Sequence, residues 1–389
     1  MVPKPRVARL GELPWVTRHI KKNSLVVDAA PINRGRIDHE PTPQGTLAQP
    51  REPWASIPQR LRRKERGKMA SKRSQTLDLV VYLVIRAVVC VIHAVPPVIA
   101  FWLSDRIAWL LYRYVPSRRR VALENLHASF PELDTQRAED LVQAMYRHLI
   151  RAVFEVLLLT RKLHLTNWRA FVDLYPAVGL PATLFSSRPA LIVTGHFGNW
   201  EMAGYLLGRL SFKTYAIARI LDNPHLERFV KRLRQATGQT IIAKHDDFDR
   251  LTSVLTNGGK VSTLADQDAG PRGVFVNFFG RPASTHKAIA LMAIEFDALI
   301  VATGVPRVSR SDRATGVPLP GMESTFYAVE VEEIIDPREY ATDPDAVKSI
   351  TQRYTSALER LIRRHPEQYF WLHRRWKHQP VARKKKQAA

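Results

Sequence analysis

Short apolar runs of strand length alternate with stretches of helical spacing through most of the chain after residue 134. Strands are predicted at 190–194, 214–218, 240–243, 261–265, 299–305 and 326–335, and helices at 134–160, 200–210, 226–237, 286–295 and 345–364. Alternation of this kind predicts an α/β domain with a mixed central sheet flanked by helices. Because 45% of the residues are hydrophobic, the chain can build a packed core.

An apolar segment at 77–103 precedes this domain and is long enough to cross a bilayer. Arg86 and His93 lie within it, and charge near the middle of a span is costly in lipid. The Pro96-Pro97 pair breaks or kinks a helix. The segment is therefore predicted to be a hydrophobic membrane helix that either spans the bilayer or lies along its surface against the following domain.

The chain is strongly basic, with 59 Lys and Arg against 36 Asp and Glu and a formal net charge of +23. Such a chain attracts nucleic acid, anionic headgroups or acidic carrier proteins, and charge alone does not choose among them. Arg113 and the Arg118-Arg119-Arg120 run follow the apolar segment and place what comes next in the cytoplasm. The single Cys90 excludes an intramolecular disulfide and a cysteine-based metal cluster.

Composition divides the chain into four parts. Residues 1–74 are polar and form a predicted disordered basic leader, and Met69 offers an alternative translation start within it. Residues 75–115 form the membrane-associated segment, 116–380 the folded domain and 381–389 a basic tail.

The best chemical signal is the run from Thr194 to Glu201, TGHFGNWE. It places His196 just past a buried strand, at the edge where α/β folds bind ligands. If the loop curls back, the Glu201 carboxylate hydrogen-bonds one imidazole nitrogen and leaves the other to accept a proton. The alternative is a structural histidine with a helix-N-terminal glutamate that complements the helix dipole.

A second signal is Asp266-Gln267-Asp268, which follows the strand at 261–265 and suits either a pocket rim or a simple loop. Further along, Arg281 on a tight turn is able to grip a phosphate with both ends of its guanidinium. Thr285 is placed to cap the next helix. Arg219, at another strand end, is a candidate phosphate or oxyanion contact.

A third signal is the run 369–377, YFWLHRRWK, in which aromatic and basic residues interleave. It suits nucleic-acid binding, a membrane interface, or a terminal helix that packs its aromatic rings inward. The basic face at 226–237, made by Arg228, Lys231, Arg232 and Arg234, is predicted to be solvated.

These blocks occur in one order: RRRVALENL at 118–126 with FPE at 130–132, the block from His196 to Glu201, DQD at 266–268, FFGRPA at 278–283 and WLHRRW at 371–376. In that order and spacing the chain resembles the bacterial lipid A biosynthesis acyltransferases, the late lauroyl and myristoyl transferases of the lysophospholipid acyltransferase superfamily. The resemblance runs from about residue 77 to 380. Residues 1–68 have no counterpart in the family.

The resemblance implies an acyltransferase fold at the cytoplasmic side of the inner membrane. The reaction would move an acyl chain from a thioester, normally on acyl carrier protein, to a hydroxyl of a lipid A precursor, with His196 as general base and Glu201 orienting it. No metal or other cofactor is expected. The predicted substrate-binding residues are Arg219, Asp266, Arg281, His373, Arg374 and Arg375.

Two other functions remain as alternatives at this stage. A relative that acylates another glycolipid or a lysophospholipid from acyl-CoA would share the motif. A basic nucleic-acid-binding protein would explain the charge, but it has no use for the apolar segment or for a His–Glu pair.

Overall fold

The computed structural model describes residues 74–380 except 237, 244–246 and 311–315. The predictions for residues 1–73 of the leader and for the tail 381–389 lie outside the described residues. The helices are α1 Gln75–Ala94, α2 Pro97–Tyr114, α3 Pro116–Ser129, α4 Thr135–Lys162, α5 Leu180–Phe185, α6 Trp200–Arg209, α7 Pro224–Gln235, α8 Phe248–Thr256, α9 Ala288–Glu295 and α10 Ala346–Arg364. The strands are β1 Val172–Asp173, β2 Ala190–Thr194, β3 Thr214–Ala218, β4 Thr240–Ala243, β5 Lys260–Leu264, β6 Val274–Phe278, β7 Arg281–Thr285, β8 Leu299–Gly304, β9 Tyr327–Ala328 and β10 Glu330–Ile335.

A six-stranded sheet forms the centre of the domain, in the order β10-β8-β2-β5-β3-β4. Its neighbouring strands are parallel except for β10, which runs antiparallel to β8 at one edge. Four of the five residues of β2 are buried, as expected for an apolar strand covered on both faces. The prediction of an α/β domain with a mixed central sheet is confirmed.

Most element boundaries match the predictions to within about two residues, the usual scatter of helix and strand ends. The helix predicted from 134 begins at Thr135, and the Asp134 side chain accepts a hydrogen bond from the Arg137 amide at 2.7 Å. The strand predicted at 326–335 is two strands, because β9 pairs with β1 whereas β10 pairs with β8.

Thr285 does not cap the following helix, so that prediction is wrong. It is the last residue of β7, and its hydroxyl oxygen accepts a hydrogen bond from buried Arg375 at 2.6 Å. The residue that precedes α9 is Lys287, whose side chain makes no capping bond.

The apolar segment forms two helices, α1 and α2, that part at the proline pair. Polar residues of α1 face the domain. The Arg86 guanidinium lies 5.0 Å from the centre of the Phe229 ring on α7, and His93 hydrogen-bonds the Leu157 carbonyl on α4 at 3.0 Å. The two charge-bearing side chains that argue against a span are therefore docked on the protein.

The aromatic run near the C-terminus packs inward, as one of the three alternatives predicted. Tyr369, Trp371 and Trp376 are buried, and the Trp376 ring stacks on Phe278 at 5.8 Å between ring centres. The run is not helical, however, because residues 369–380 form a bridge and turns. These rings close the core against the β6–β7 hairpin.

Candidate functional site

His196 and Asp266 meet at the carboxyl edge of the sheet because β2 and β5 are parallel neighbours in register. Thr194 pairs with Leu264 at the strand ends, and the Ala265 amide still donates to the Thr194 carbonyl at 2.8 Å. His196 and Asp266, each two residues past this last pair, therefore lie opposite one another. His196 Nδ1 is 2.9 Å from one oxygen of Asp266, and the His196 backbone amide donates to the other at 2.8 Å.

This pair is almost sealed from solvent. The Asp266 side chain has no exposed surface, and the His196 side chain is 16% exposed. Burial alone would raise the pKa of Asp266, but the His196 ring and amide lower it well below its usual range. Because an ionised carboxylate only accepts hydrogen bonds, Nδ1 carries the proton that it accepts.

Burial works against a charged imidazole at His196, but the Asp266 carboxylate outweighs it and raises the pKa of His196 above its ordinary 6.5. Glu201 adds a smaller charge effect in the same direction. The His196 Nε2 atom has no hydrogen-bond partner among the described residues, so it is the nitrogen left for a substrate.

Two glycines let the loop at His196 adopt this geometry. A Cβ on Gly195 would lie 3.3 Å from an Asp266 oxygen. Gly198 has a positive φ of 60°, and a Cβ there would lie 2.2 Å from the Val305 carbonyl oxygen. The glycines therefore permit close approach on both sides of His196, as the sequence indicated.

Glu201 does not hydrogen-bond His196, contrary to the geometric expectation from the sequence. It lies in the first turn of α6 and pairs with Arg234 of α7, whose Nε donates to it at 2.9 Å. The physical reason is that Asp266 already takes both His196 donors, the ring Nδ1–H and the backbone amide.

Arg234 is a site residue that sequence reasoning missed. It was assigned to a solvated basic face of its helix, but its side chain is only 29% exposed and forms a two-bond ion pair with Glu201. Helical spacing alone could not predict this ion pair, because it does not show which neighbouring helix packs against a given position.

His373 lies beside the His196–Asp266 pair. Its Nε2 is 3.8 Å from an Asp266 oxygen and 3.0 Å from the Tyr369 hydroxyl. Burial lowers its pKa to about 4, so it is neutral near pH 7. The Asn125 amide holds the backbone of this segment by donating to the His373 carbonyl at 2.9 Å.

Ligating atoms of His196, Asp266 and His373 lie within 4.8 Å of one another, a spacing that is also able to hold a metal ion. In the structure each Asp266 oxygen accepts one hydrogen bond from His196.

The remaining predicted substrate residues are spread around this centre, and among the described contacts none of them hydrogen-bonds His196 or Asp266. Arg219 follows β3 at the same sheet edge, and its 75% exposed side chain pairs with Asp222. Arg281 lies 4.5 Å from the Trp376 ring centre, and Arg374 is exposed. Arg375 is 1% exposed and donates to the Ser284 carbonyl, so its guanidinium holds the β6–β7 hairpin.

The geometry suits general-base chemistry. A neutral imidazole whose Nδ1–H is held by a buried carboxylate keeps its Nε2 lone pair directed at a fixed place. A hydroxyl that reaches Nε2 can lose its proton there as it attacks an acyl group.

Comparison with known proteins places the chain in a family. The family model for bacterial lipid A biosynthesis acyltransferases matches residues 68–378. The lipid A biosynthesis palmitoleoyltransferase of Escherichia coli is 26% identical over 295 residues, which cover 73% of this chain and 87% of that protein. The phosphatidylinositol mannoside acyltransferase of Mycobacterium tuberculosis is 30% identical over 129 residues, or 32% of this chain and 40% of that protein.

Among solved structures, a 1-acyl-sn-glycerophosphate acyltransferase from Thermotoga maritima matches 68% of this chain and 95% of its own at 14% identity, with a TM-score of 0.31. That superposition is too loose to assign any residue. The family match covers most of the chain and includes every element that builds the His196–Asp266 pair. The chain therefore belongs to the bacterial lipid A biosynthesis acyltransferase family and is an acyltransferase that moves an acyl group onto a lipid.

Proposed function

We propose that this enzyme transfers a fatty acyl chain from an acyl carrier protein thioester to a hydroxyl of a lipid A precursor, with His196 as general base and Asp266 as the residue that orients it. The observation that carries the proposal is the 2.9 Å contact between His196 Nδ1 and Asp266, which leaves Nε2 without a partner among the described residues. The lipid A relatives, which match over 87% of their own length, support the acceptor class.

The proposed reaction is a single direct transfer. His196 Nε2 removes the proton of the acceptor hydroxyl as its oxygen attacks the thioester carbonyl. Collapse of the tetrahedral intermediate forms the ester and breaks the carbon–sulfur bond, and the departing thiolate takes the proton back from His196. Asp266 stabilises the imidazolium while it lasts.

Acceptor phosphates have a proposed partner in Arg219. It follows β3, and β5 alone separates that strand from β2, so the Arg219 backbone lies about 10 Å from that of His196. Among the described residues the exposed Arg219 guanidinium is held by a surface ion pair alone, which leaves it free to bind phosphate through two hydrogen bonds. Arg281 and Arg374 remain predicted acceptor contacts, whereas the burial of Arg375 argues against such a role.

Glu201 takes a supporting role in this proposal. Its ion pair with Arg234 ties α6, which follows the His196 loop directly, to α7. Its charge also favours the protonated form of His196 that arises during transfer.

The acid side of the pH profile provides one test. His196 acts as a base only when neutral, so activity falls as the pH drops through its pKa. Because that pKa is raised, we expect the acid limb of kcat/KM to have its midpoint above 6.5. The pKa of His373 is about 4, so His373 stays neutral above that pH and does not contribute to the fall in activity near pH 6.5. The rate is measured with acylated acyl carrier protein as the donor. A midpoint below 6.5 would contradict the proposed pairing of His196 with Asp266.

Membrane attachment is proposed through the exposed sides of α1 and α2. By length and composition α1 is apolar enough to cross a bilayer. Its polar side, however, is bound along its length to the protein, at Arg86 by α7 and at His93 by α4. Large hydrophobic side chains that are at least one-third exposed line both helices: Leu77, Leu79, Val80, Leu83, Val84, Ile85, Val88 and Val91 on α1, and Val98, Ile99, Trp102, Ile107, Trp109, Leu110, Leu111 and Tyr114 on α2.

This arrangement favours helices that lie in the membrane interface, since a spanning α1 would lose its contacts with α4 and α7. Exposed tryptophans suit the depth of the headgroups, and the arginines at 113 and 118–120 suit anionic lipid on the cytoplasmic side of the inner membrane.

The double variant Trp102→Asp, Trp109→Asp is expected to lower binding to anionic vesicles at least tenfold, because it places two charges on the exposed side of α2. Flotation of the purified protein with such vesicles measures this. Val178→Asp, at a 74% exposed apolar residue before α5, is the matched control and should float like the wild type. Equal flotation of the double variant and the wild type would argue against the proposed surface.

The runner-up function is acylation of another glycolipid or a lysophospholipid from acyl-CoA, and the partial match to a phosphatidylinositol mannoside acyltransferase favours it. Purified enzyme offered each donor with each acceptor, followed by mass spectrometry of the lipids, separates the two. Transfer from acyl carrier protein to a lipid A precursor supports the proposal. Transfer only from acyl-CoA, or only to another lipid, would replace it.

A further inference from the structure

A buried polar network lies behind the loop that carries His196. Its centre is the Glu155 carboxylate on α4, which has no exposed surface. Arg307 donates to Glu155 from Nε at 3.0 Å and from a terminal nitrogen at 2.5 Å, and the Tyr327 hydroxyl also donates to it. From this carboxylate two arms reach consecutive residues of the loop.

The first arm runs through His148. Arg307 contacts His148 Nδ1 at 3.1 Å, and His148 Nε2 contacts the Gly198 carbonyl oxygen at 3.1 Å. An arginine only donates and a carbonyl only accepts, so Nδ1 is the acceptor and Nε2–H the donor. Burial and then the Arg307 charge lower the pKa of His148 to about 3, which keeps this one neutral tautomer across the working pH range.

The second arm runs through Tyr327. Its hydroxyl accepts a hydrogen bond from the Asn199 side-chain amide at 2.9 Å. The other side-chain atom of Asn199, its oxygen, accepts from the Met202 amide at 3.2 Å and caps α6. Glu155 therefore holds both Gly198 and Asn199, the residues between His196 and the helix of Glu201.

Packing alone does not account for this network. Replacing a buried ion pair by well-packed apolar residues is often neutral or stabilising. His148 and Arg307 also border a cavity of about 310 Å³, so side chains do not fill the space on that side of the network. Backbone bonds from the Gly198 amide to the Gln368 carbonyl and from the Asn199 amide to the Val305 carbonyl hold the other side of the loop, and the His148 bond is the directional contact to the Gly198 carbonyl.

We propose that His148 is a positioning residue for acyl transfer, which through the Gly198 carbonyl holds His196 in register with Asp266. This inference rests on the proposed role of His196 as the general base. A loop free to move by about 1 Å would loosen the contact between His196 and Asp266, and a displacement of that size costs on the order of 10²-fold in rate.

His148→Phe and His148→Gln form the test pair. Phenylalanine keeps the ring volume but neither hydrogen bond, whereas glutamine offers an acceptor to Arg307 and a donor to Gly198. We expect H148F to lower kcat about 10- to 100-fold with KM changed by less than about threefold, and H148Q to retain kcat within about fivefold. Arg188→Met, which breaks a part-buried ion pair at the amino end of β2, is the stability control and should keep the wild-type kcat.

A second readout does not depend on activity. The proton shared by His196 Nδ1 and Asp266 should give a downfield ¹H NMR signal, assigned by its loss in His196→Gln. We expect the signal in wild type, H148Q and R188M, and its loss or broadening in H148F. If H148F does not accumulate, His148→Leu also removes both hydrogen bonds with a smaller apolar side chain and should have the same effect.

An unchanged kcat and an unchanged signal in H148F would overturn the proposal, as would equal losses in H148F and H148Q. If wild type transferred no acyl group to any lipid offered, the proposed function would fail instead, and the NMR signal would still decide the role of His148.

Discussion

Replacing His196 with glutamine is expected to lower kcat about 10³-fold. Glutamine has roughly the size of histidine and offers polar atoms to Asp266, but its amide is not a base. A positioned general base contributes typically 10²- to 10⁴-fold to a rate. The measurement is a single-turnover transfer assay with saturating donor and acceptor, so that the rate reports the chemical step.

Stability has to be checked beside the rate. His196 is partly exposed and lies at the edge of the sheet, so the melting temperature of H196Q should stay within about 5 °C of wild type. A variant that keeps its fold and transfers within tenfold of the wild-type rate would exclude His196 as the base.

The second large effect is expected for Asp266→Asn. Asparagine preserves the shape of the side chain but not its charge, so it neither selects the Nδ1–H tautomer of His196 nor stabilises the imidazolium. In the related serine-histidine-aspartate arrangement of hydrolases such a change costs about 10⁴-fold. We expect a fall in kcat of about 10³-fold here, with little change in KM, because the Asp266 side chain is buried beneath His196 and is not open to substrate.

Glu201→Gln is the matched comparison for Asp266→Asn. Both changes neutralise a carboxylate that raises the pKa of His196, but only Asp266 hydrogen-bonds the ring. Glu201→Gln should therefore cost about tenfold, through the weakened ion pair with Arg234 and the lost charge. If E201Q lost as much kcat as D266N, or more, Glu201 and not Asp266 would be the residue that orients His196.

The sequence carried enough information for the central strands and for His196. The run from Ala190 to Thr194 is apolar throughout, as a strand covered on both faces must be, and the structure buries it. A histidine between two glycines just past such a strand points to the ligand edge of the sheet. Both inferences depend on local pattern alone. The structure confirms the strand and places His196 just past its carboxyl end, and the role of His196 in binding or catalysis stays a prediction.

The partner of His196 could not be predicted because strand order is not local. Asp266 was placed at a strand end, in a pocket rim or a simple loop, and was predicted to bind substrate, but nothing in the sequence says that β5 is the neighbour of β2. Glu201, close in the chain, seemed the natural orienter. The pairing of parallel strands, and not closeness in sequence, decides the partner of His196, because it brings the ends of two strands that are distant in the chain to the same edge of the sheet.

Arginine positions were the hardest to predict. Arg234 and Arg375 occur in basic contexts that favour exposure, whereas Arg86 lies within an apolar segment. In the structure Arg86 stacks on Phe229, Arg234 pairs with Glu201 and Arg375 is buried under the hairpin. The long apolar stem of arginine lets it cover such surfaces, so its charge alone does not indicate exposure.

The most direct measurement is a ¹⁵N NMR titration of the His196 imidazole in wild type and in D266N. In wild type we expect a pKa above 6.5, because the Asp266 carboxylate outweighs the effect of burial. In D266N burial should dominate and bring the pKa below 6.5. An unchanged pKa in D266N, or a wild-type pKa below 6.5, would contradict the pairing of His196 with Asp266 on which the catalytic role depends.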